Sequence, residues 1–223
     1  MVEPGKRRQA RVETSGHATP PGDEAVLVFL DVMRRLRADC PWKAAQTHRS
    51  LARYLLEETH EALEALDSGD GVLLREELGD LLLQVFLHTS IAEEAGEFTT
   101  ADVACDVTEK MYRRNPHVFA EQDGETGDAG DLDPAAVNEL WESRKAAEKQ
   151  RSSVTDGLAP GLPALLYADK VLDRLERAGH RPGVPAEPEA LGDRLLALVA
   201  EARSTGTDPE QALREAVRRA LPP

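Results

Sequence analysis

An all-α fold is predicted for this chain by three features. Leu, Ala, Glu and Arg dominate the composition while aromatic residues make up only 4% of it, a balance that suits helices better than sheets. Apolar residues recur at three- and four-residue spacing over long stretches. Capping residues, glycines and prolines punctuate those stretches at their ends, and no segment alternates as a strand would.

The elements follow in order. Residues 1–22 are polar, rich in Gly, Pro, Lys and Arg, and without the apolar stretch of a signal peptide; they read as a disordered tail. A first helix is predicted over Asp23–Arg37, with Val26, Phe29, Leu30, Met33 and Leu36 on one side. A turn punctuated by Pro41 precedes a long helix from about Thr47 to Leu66, which Ser68-Gly69-Asp70 ends. The next helix runs from about Gly71 to Ala95, with Asp70 as its cap and Gly96 as its stop. Thr99 or Thr100 caps a fourth, ending before Asn115-Pro116. Residues 121–132 read as a flexible acidic loop, and Asp133-Pro134 opens a fifth helix that reaches about Gln150. Further helices are predicted at 163–178, 187–204 and 209–220. Short connections among the first four imply antiparallel packing.

Two of these segments repeat. EELGDLLLQV at 76–85 matches EALGDRLLAL at 189–198, and FLDVMRRLR at 29–37 more weakly resembles KVLDRLERA at 170–178. The expected organisation is therefore the tail 1–22, a first helical domain at 23–151, and a shortened, degenerate copy at 152–223.

Charge narrows the function. A net charge of −14 disfavours nucleic-acid binding, which needs a basic footprint. No apolar run approaches the ~20 residues of a membrane span. Cys40 and Cys105 are the only cysteines and read as free thiols of a reducing cytoplasm. A small polyanion remains an acceptable ligand if a metal ion inverts the local field.

The chemistry-bearing residues are carboxylates. Glu58 and Glu61 are three apart on one predicted helix, Glu77 and Asp80 three apart on the next, so each pair shares a helix face. A short turn makes the two helices antiparallel, and the pairs can then face each other. Leucines and alanines flank Glu58, Glu77 and Asp80 at helical spacing, and none of the three has Lys or Arg at i±3 or i±4. Carboxylates bordering an apolar stripe are costly unless paired or bound to metal. All-oxygen ligation suits Mg²⁺, with Mn²⁺ as the alternative, and not Zn²⁺. The competing reading is that these glutamates are solvated helix faces, as Glu57, Glu64 and Glu76 are expected to be, with a supporting role open to them.

A basic cluster, Lys110, Arg113 and Arg114, ends the fourth helix and could neutralise a triphosphate; cations are also favoured there by the helix dipole alone. Trp141 and Lys145 could offer a stacking face and a cation, although a lone Trp is more often core. His48, His60, His88 and His117 have no mutual metal-ligand spacing and read as structural.

The ordered series of these strings resembles the MazG-type nucleoside triphosphate pyrophosphohydrolases. It comprises CPW at 40–42 with Gln46-Thr47, LLEETHE at 55–61, REELGDLLLQV at 75–85, the segment Lys110–Phe119, and W-E-x-x-K at 141–145. The resemblance implies an all-α enzyme that hydrolyses nucleoside triphosphates to monophosphate and pyrophosphate. It further implies a homodimer in the cytoplasm that clears aberrant or excess nucleotides. It places the metal on Glu58, Glu61, Glu77 and Asp80, the phosphates on Lys110, Arg113 and Arg114, and the nucleotide on Trp141 and Lys145. Glu58, or its neighbour Glu57, would take the proton from the attacking water. Two alternatives stay open: a pyrophosphatase limited to dUTP or a modified dNTP, and a non-catalytic nucleotide-binding regulator. The sequence departs from the family strings at Lys43, where Asp is usual, and at Asn115, where His is usual. The segment 161–171 resembles the linker of two-domain relatives, but the second copy has Ala190 in place of the first Glu of ExxD and lacks EExxE. It reads as unable to bind metal.

Overall fold

The computed structural model describes residues 24–119, 133–148, 152–180, 183–184 and 189–222, and among these every regular element is a helix. The tail 1–22 and the acidic loop 121–132 lie outside the described residues. The chain forms two compact units, Met1–Lys110 and Met111–Pro223.

In the first unit, α1 (Glu24–Asp39), α3 (His48–Ser68) and α4 (Gly71–Ala95) carry the core. Cys40, in an extended conformation, is the single residue between α1 and α2 (Pro41–Ala44), a single helical turn where the sequence suggested only a turn; Pro41 at its first position has the fixed φ that a helix start needs. Thr47 and Ser50 close a reciprocal capping box on α3, with backbone-to-hydroxyl distances of 3.1 and 2.9 Å. Gly69 stops α3 in the left-handed region at φ 70°, and Asp70 immediately caps α4 by accepting from the amides of Val72 and Leu73 at 2.8 and 3.2 Å. Nothing but these two residues separates the helices, so α4 folds back along α3 and packs on it and on α1. Met33, Leu51, Phe86 and Leu87 form the buried centre, and the Phe29 and Phe86 rings meet at 5.5 Å. α5 (Thr100–Arg114) starts from Thr99, whose hydroxyl accepts from the Asp102 amide while the Asp102 carboxylate accepts from Thr99. Its residues 101–109 are exposed throughout.

One charged side chain organises the end of this unit. Arg37, on α1, is buried and directs Nε and Nη2 to the Glu94 carboxylate on α4, both at 2.8 Å. Its Nη1 donates to the backbone carbonyls of Gln46, at 2.9 Å, and Lys43. A planar fork thus ties together α1, the segment before α3, and α4.

In the second unit, α6 (Pro116–Phe119) is another single turn not expected from the sequence. α7 (Pro134–Glu148) is bound to its neighbours by ion pairs. Glu148 accepts from Arg113 Nε at 3.1 Å and from Arg114 Nη2 at 2.6 Å, and Glu139 accepts from Arg177 of α8 (Ala164–Arg177) at 3.1 Å. The division between the two units falls inside α5, at Lys110/Met111. α8 packs with α9 (Leu191–Ser204) and α10 (Pro209–Ala220), the last capped by Asp208 as the Asp-Pro signal implies. Arg203 on α9 joins α8 through Asp169, at 2.7 Å, and Glu176, at 2.8 Å. Only Leu172 and Val199 of the apolar residues on α8 and α9 are fully buried, while Leu191, Leu195 and Leu198 are exposed.

Two stability outcomes follow. Arg37→Met should cost about 2 kcal/mol in denaturant unfolding, because it removes the hydrogen bonds of the buried guanidinium to two backbone carbonyls and to Glu94. Arg37→Lys should recover only part of that, since an ammonium cannot reproduce the fork. The second concerns Glu148, whose carboxyl is held down to about 2 from an ordinary 4.5, first by its hydrogen bond from Arg114 and then by that from Arg113. A depressed folded-state value stabilises above the ordinary value and is lost as pH falls through the depressed one. The stability difference between wild type and Glu148→Gln should therefore be full above pH 4.5 and close as pH approaches about 2. Denaturant midpoints measured across that window check it.

Candidate active site

The turn at Gly69-Asp70 sets the register of the site. Glu58 and Asp80 lie at nearly equal distances from it along their helices, and so do Glu61 and Glu77. Antiparallel folding therefore brings Glu58 level with Asp80, and Glu61 level with Glu77. The electrostatics have this pattern: Asp80 is the strongest charged neighbour of Glu58, and Glu61 of Glu77. Glu58, Glu77 and Asp80 each offer a carboxylate oxygen within 4.8 Å of the other two. Glu61 is exposed at the edge of the trio and shares a hydrogen bond with Glu58. Glu57 is exposed on α3 and stands outside the group. No other such group of acidic, His or Cys side chains occurs among the described residues, the repeat unit included.

The cluster is under electrostatic stress. Burial raises the Glu58 carboxyl above the usual range, and Asp80 and Glu61 push it further; a hydrogen bond from Gln84 opposes them. Glu77 is buried and also raised, by burial first and then by Glu61, Asp80 and Glu76. Crowded, half-dry carboxylates of this kind are relieved by protons or by a cation. Adjacent and opposite oxygens around Mg²⁺ are separated by about 3 and 4 Å, given its ~2.1 Å bonds. Donors already gathered within 4.8 Å, all oxygen, fit that shell with small side-chain movements. Glu58, Glu77 and Asp80 could hold such an ion, with Glu61 within reach.

The cations and aromatic residue expected to meet a nucleotide are found otherwise engaged. Arg113 and Arg114 both serve Glu148, and Arg114 is also buried against the Trp141 ring, 5.3 Å from its centroid. Lys145 pairs with Glu142 at 2.9 Å. Lys110 is half-buried on the same helix as the two arginines. Glu148 thus occupies the two arginines that were expected to bind phosphate. The sequence held no signal for that carboxylate, because its partners lie far away in the chain.

Two further groups escaped sequence reasoning. The His48 and His88 rings stack at 5.0 Å with their Nδ1 atoms 2.7 Å apart, so one proton lies between them. Burial first, then His48, lowers the His88 pKa. Their separation in sequence hid the pair. Gln84, buried one turn beyond Asp80, could have been noticed as the lone amide on the stripe that carries Glu77 and Asp80.

Comparison with known proteins gives this geometry a family. Residues 46–119 match the MazG nucleotide pyrophosphohydrolase domain. That span contains all four carboxylates and the basic end of α5. The chain is 40% identical to an uncharacterized 26.1 kDa protein in the blaB 3' region of Streptomyces cacaoi, over 93% of this chain and 88% of that one. It is 36% identical to the nucleoside triphosphate pyrophosphohydrolase/pyrophosphatase MazG of Thermotoga maritima, over 88% of this chain and 84% of the other. Against the nucleoside triphosphate pyrophosphohydrolase of Mycobacterium tuberculosis the identity is 43% over 87% of this chain, which spans 55% of that longer protein. An all-helical chain with this domain match, and with such likeness over most of the Thermotoga protein's length, belongs to the MazG nucleotide pyrophosphohydrolase family.

Proposed function

We propose that this chain hydrolyses nucleoside triphosphates between the α- and β-phosphates, in the cytoplasm, as part of nucleotide-pool house-cleaning. The observation that carries the reading is the carboxylate group of Glu58, Glu77 and Asp80 on facing helices, with Glu61 beside it. The names of the relatives at 36% and 43% identity support the same reaction. Mg²⁺, or Mn²⁺, bound by these four residues would polarise the phosphates and lower the pKa of a water.

The chain's own residues do the rest. Glu58 or Glu57 accepts the proton as water adds to the α-phosphorus. The bond from that phosphorus to the bridging oxygen breaks, and pyrophosphate leaves with the oxygen. Lys110, Arg113 and Arg114 take up the charge of the departing group through hydrogen bonds, once Glu148 yields the arginines. Trp141 and Lys145 contact the nucleoside side of the substrate. No serine or cysteine nucleophile is needed in this scheme.

The reading extends to a homodimer. Leu27 on α1 is 65% exposed and Leu56 on α3 61%, and Leu78 on α4 and Val107 on α5 are exposed as well. Such a quantity of uncovered aliphatic surface on one compact unit is what a second copy of the chain would bury.

Hydrolysis in ¹⁸O-labelled water should place the label in the nucleoside monophosphate and none in pyrophosphate. Label in pyrophosphate, or orthophosphate as the first product, would contradict attack at the α-phosphorus. Glu61→Gln and Asp80→Asn should each lower kcat/KM by roughly a hundredfold or more while the thermal midpoint holds or rises, since each removes one of several crowded charges. Light scattering should give a mass about twice the 24.4 kDa of one chain.

A further inference from the structure

The Gly69-Asp70 turn joins α3 and α4 at one end, and two imidazoles meet across the pair at the other. His48 opens α3 and is exposed, while His88 reaches it from α4 and is half-buried. Their rings are parallel to within 7°, and their Nδ1 atoms are 2.7 Å apart. The other ring nitrogen of His88, Nε2, is buried and has no hydrogen-bond partner among the described residues.

The proton count limits what this arrangement tolerates. A neutral imidazole has one N–H and one lone pair. At 2.7 Å one Nδ1 must donate and the other accept. If His88 accepted, its own proton would sit on Nε2 as a buried N–H with nothing to receive it. If His88 donates, Nε2 keeps only a lone pair and His48 turns its N–H to water, which costs less. One added proton leaves a single bare nitrogen, and the pair needs that nitrogen as the accepting Nδ1. The bond then survives only with an N–H forced onto the buried Nε2. A second added proton puts an N–H on both Nδ1 atoms, and the 2.7 Å contact cannot persist.

Nothing around the pair eases the added charge. Helices α1 and α3 pack on α4, and α5 meets it where Thr100 hydrogen-bonds Thr89, next to His88. On α1, Arg34 and Arg37 are engaged by Glu93 and Glu94, further along α4. On α3, Arg49 and Arg53 are the charged residues that follow His48, and both have the sign that opposes protonation. On α5, the Asp102 carboxylate is taken by Thr99. Among the described residues each ring has the other as its hydrogen-bond partner, and neither has a carboxylate. Burial first, and then His48, keeps the His88 pKa below its ordinary 6.5.

We propose that His48 and His88 form an acid-released clasp across the open end of the α3–α4 pair: neutral rings close it, and protonation opens it and frees the first turn of α3. That turn adjoins Gln46, whose carbonyl Arg37 holds from α1. Neither ring belongs to the carboxylate group, so the clasp stands apart from any metal bound there. A histidine whose folded-state pKa is depressed refuses protons that the unfolded chain accepts. Stability is therefore lost as pH falls from 6.5 towards the depressed value.

A double-mutant cycle on the full-length protein reads the clasp. His48→Ala, His88→Leu and the double variant are unfolded in denaturant beside wild type at about pH 8 and about pH 5, on either side of the histidine range. At the higher pH the two residues should be coupled by about fivefold in the unfolding equilibrium constant, the contribution of one hydrogen bond. At the lower pH the coupling should fall below about twofold. The raised carboxylates of Glu58 and Glu77 are common to all four proteins and cancel. Equal coupling at both pH values would make the pair a packing contact and overturn the proposal, as would no coupling at the higher pH. Ring ¹⁵N NMR of the wild type needs no variant to fold: His88 should titrate below 6.5, with the shared Nδ1 proton lost in the same step. Two rings that titrate independently at the ordinary value would overturn the clasp.

Discussion

The two-residue connection at Gly69-Asp70 is the constraint on which the site depends. Glycine accepts the left-handed backbone that ends α3, and aspartate caps α4 at once, so the chain reverses with no slack. Helices joined that tightly have little freedom to slide. The register between Glu58 and Asp80, and between Glu61 and Glu77, is inherited from the turn rather than from any attraction among the side chains. Their negative charges repel one another. The apolar packing of α4 on α3 and α1, centred on Met33, Leu51, Phe86 and Leu87, holds the like charges together. Arg37 then locks the far end of α4 through Glu94.

This division of labour explains how the carboxylates stay together despite their repulsion. A carboxylate group that had to assemble itself would splay into water. Here the helices are placed by hydrophobic burial, and the charges are carried along. The raised pKa values of Glu58 and Glu77 follow from the burial and crowding that the backbone imposes on them. A divalent cation, if bound as proposed, would turn the same imposed geometry from a cost into a binding site, because mutual repulsion is the mirror of attraction for a central positive charge.

The second unit shows the opposite arrangement, in which opposite charges do much of the joining. Arg203 gathers Asp169, Asp173 and Glu176, Arg177 reaches Glu139, and Arg113 and Arg114 share Glu148. The apolar contribution is thinner, with Leu191, Leu195 and Leu198 left in water. Asp193 on α9 belongs to no close group of three acidic, His or Cys side chains among the described residues.

Much of this protein was legible one residue at a time. Helix identity, the Thr47, Asp70 and Asp208 caps and the Gly69 and Gly96 stops are local matters, decided by backbone preferences within four residues. The carboxylate pairs were legible for the same reason, since three-residue spacing places two side chains on one face whatever the surroundings. The single turns α2 and α6 were missed because four residues leave no periodicity to read. Tertiary structure alone decided which partners met: Glu148 with the arginines, His48 with His88, Arg37 with Glu94. Those contacts join residues on different helices, and the faces that meet are selected by how the whole set of apolar surfaces packs. Sequence determined what each helix offers; only packing decided what each offer meets.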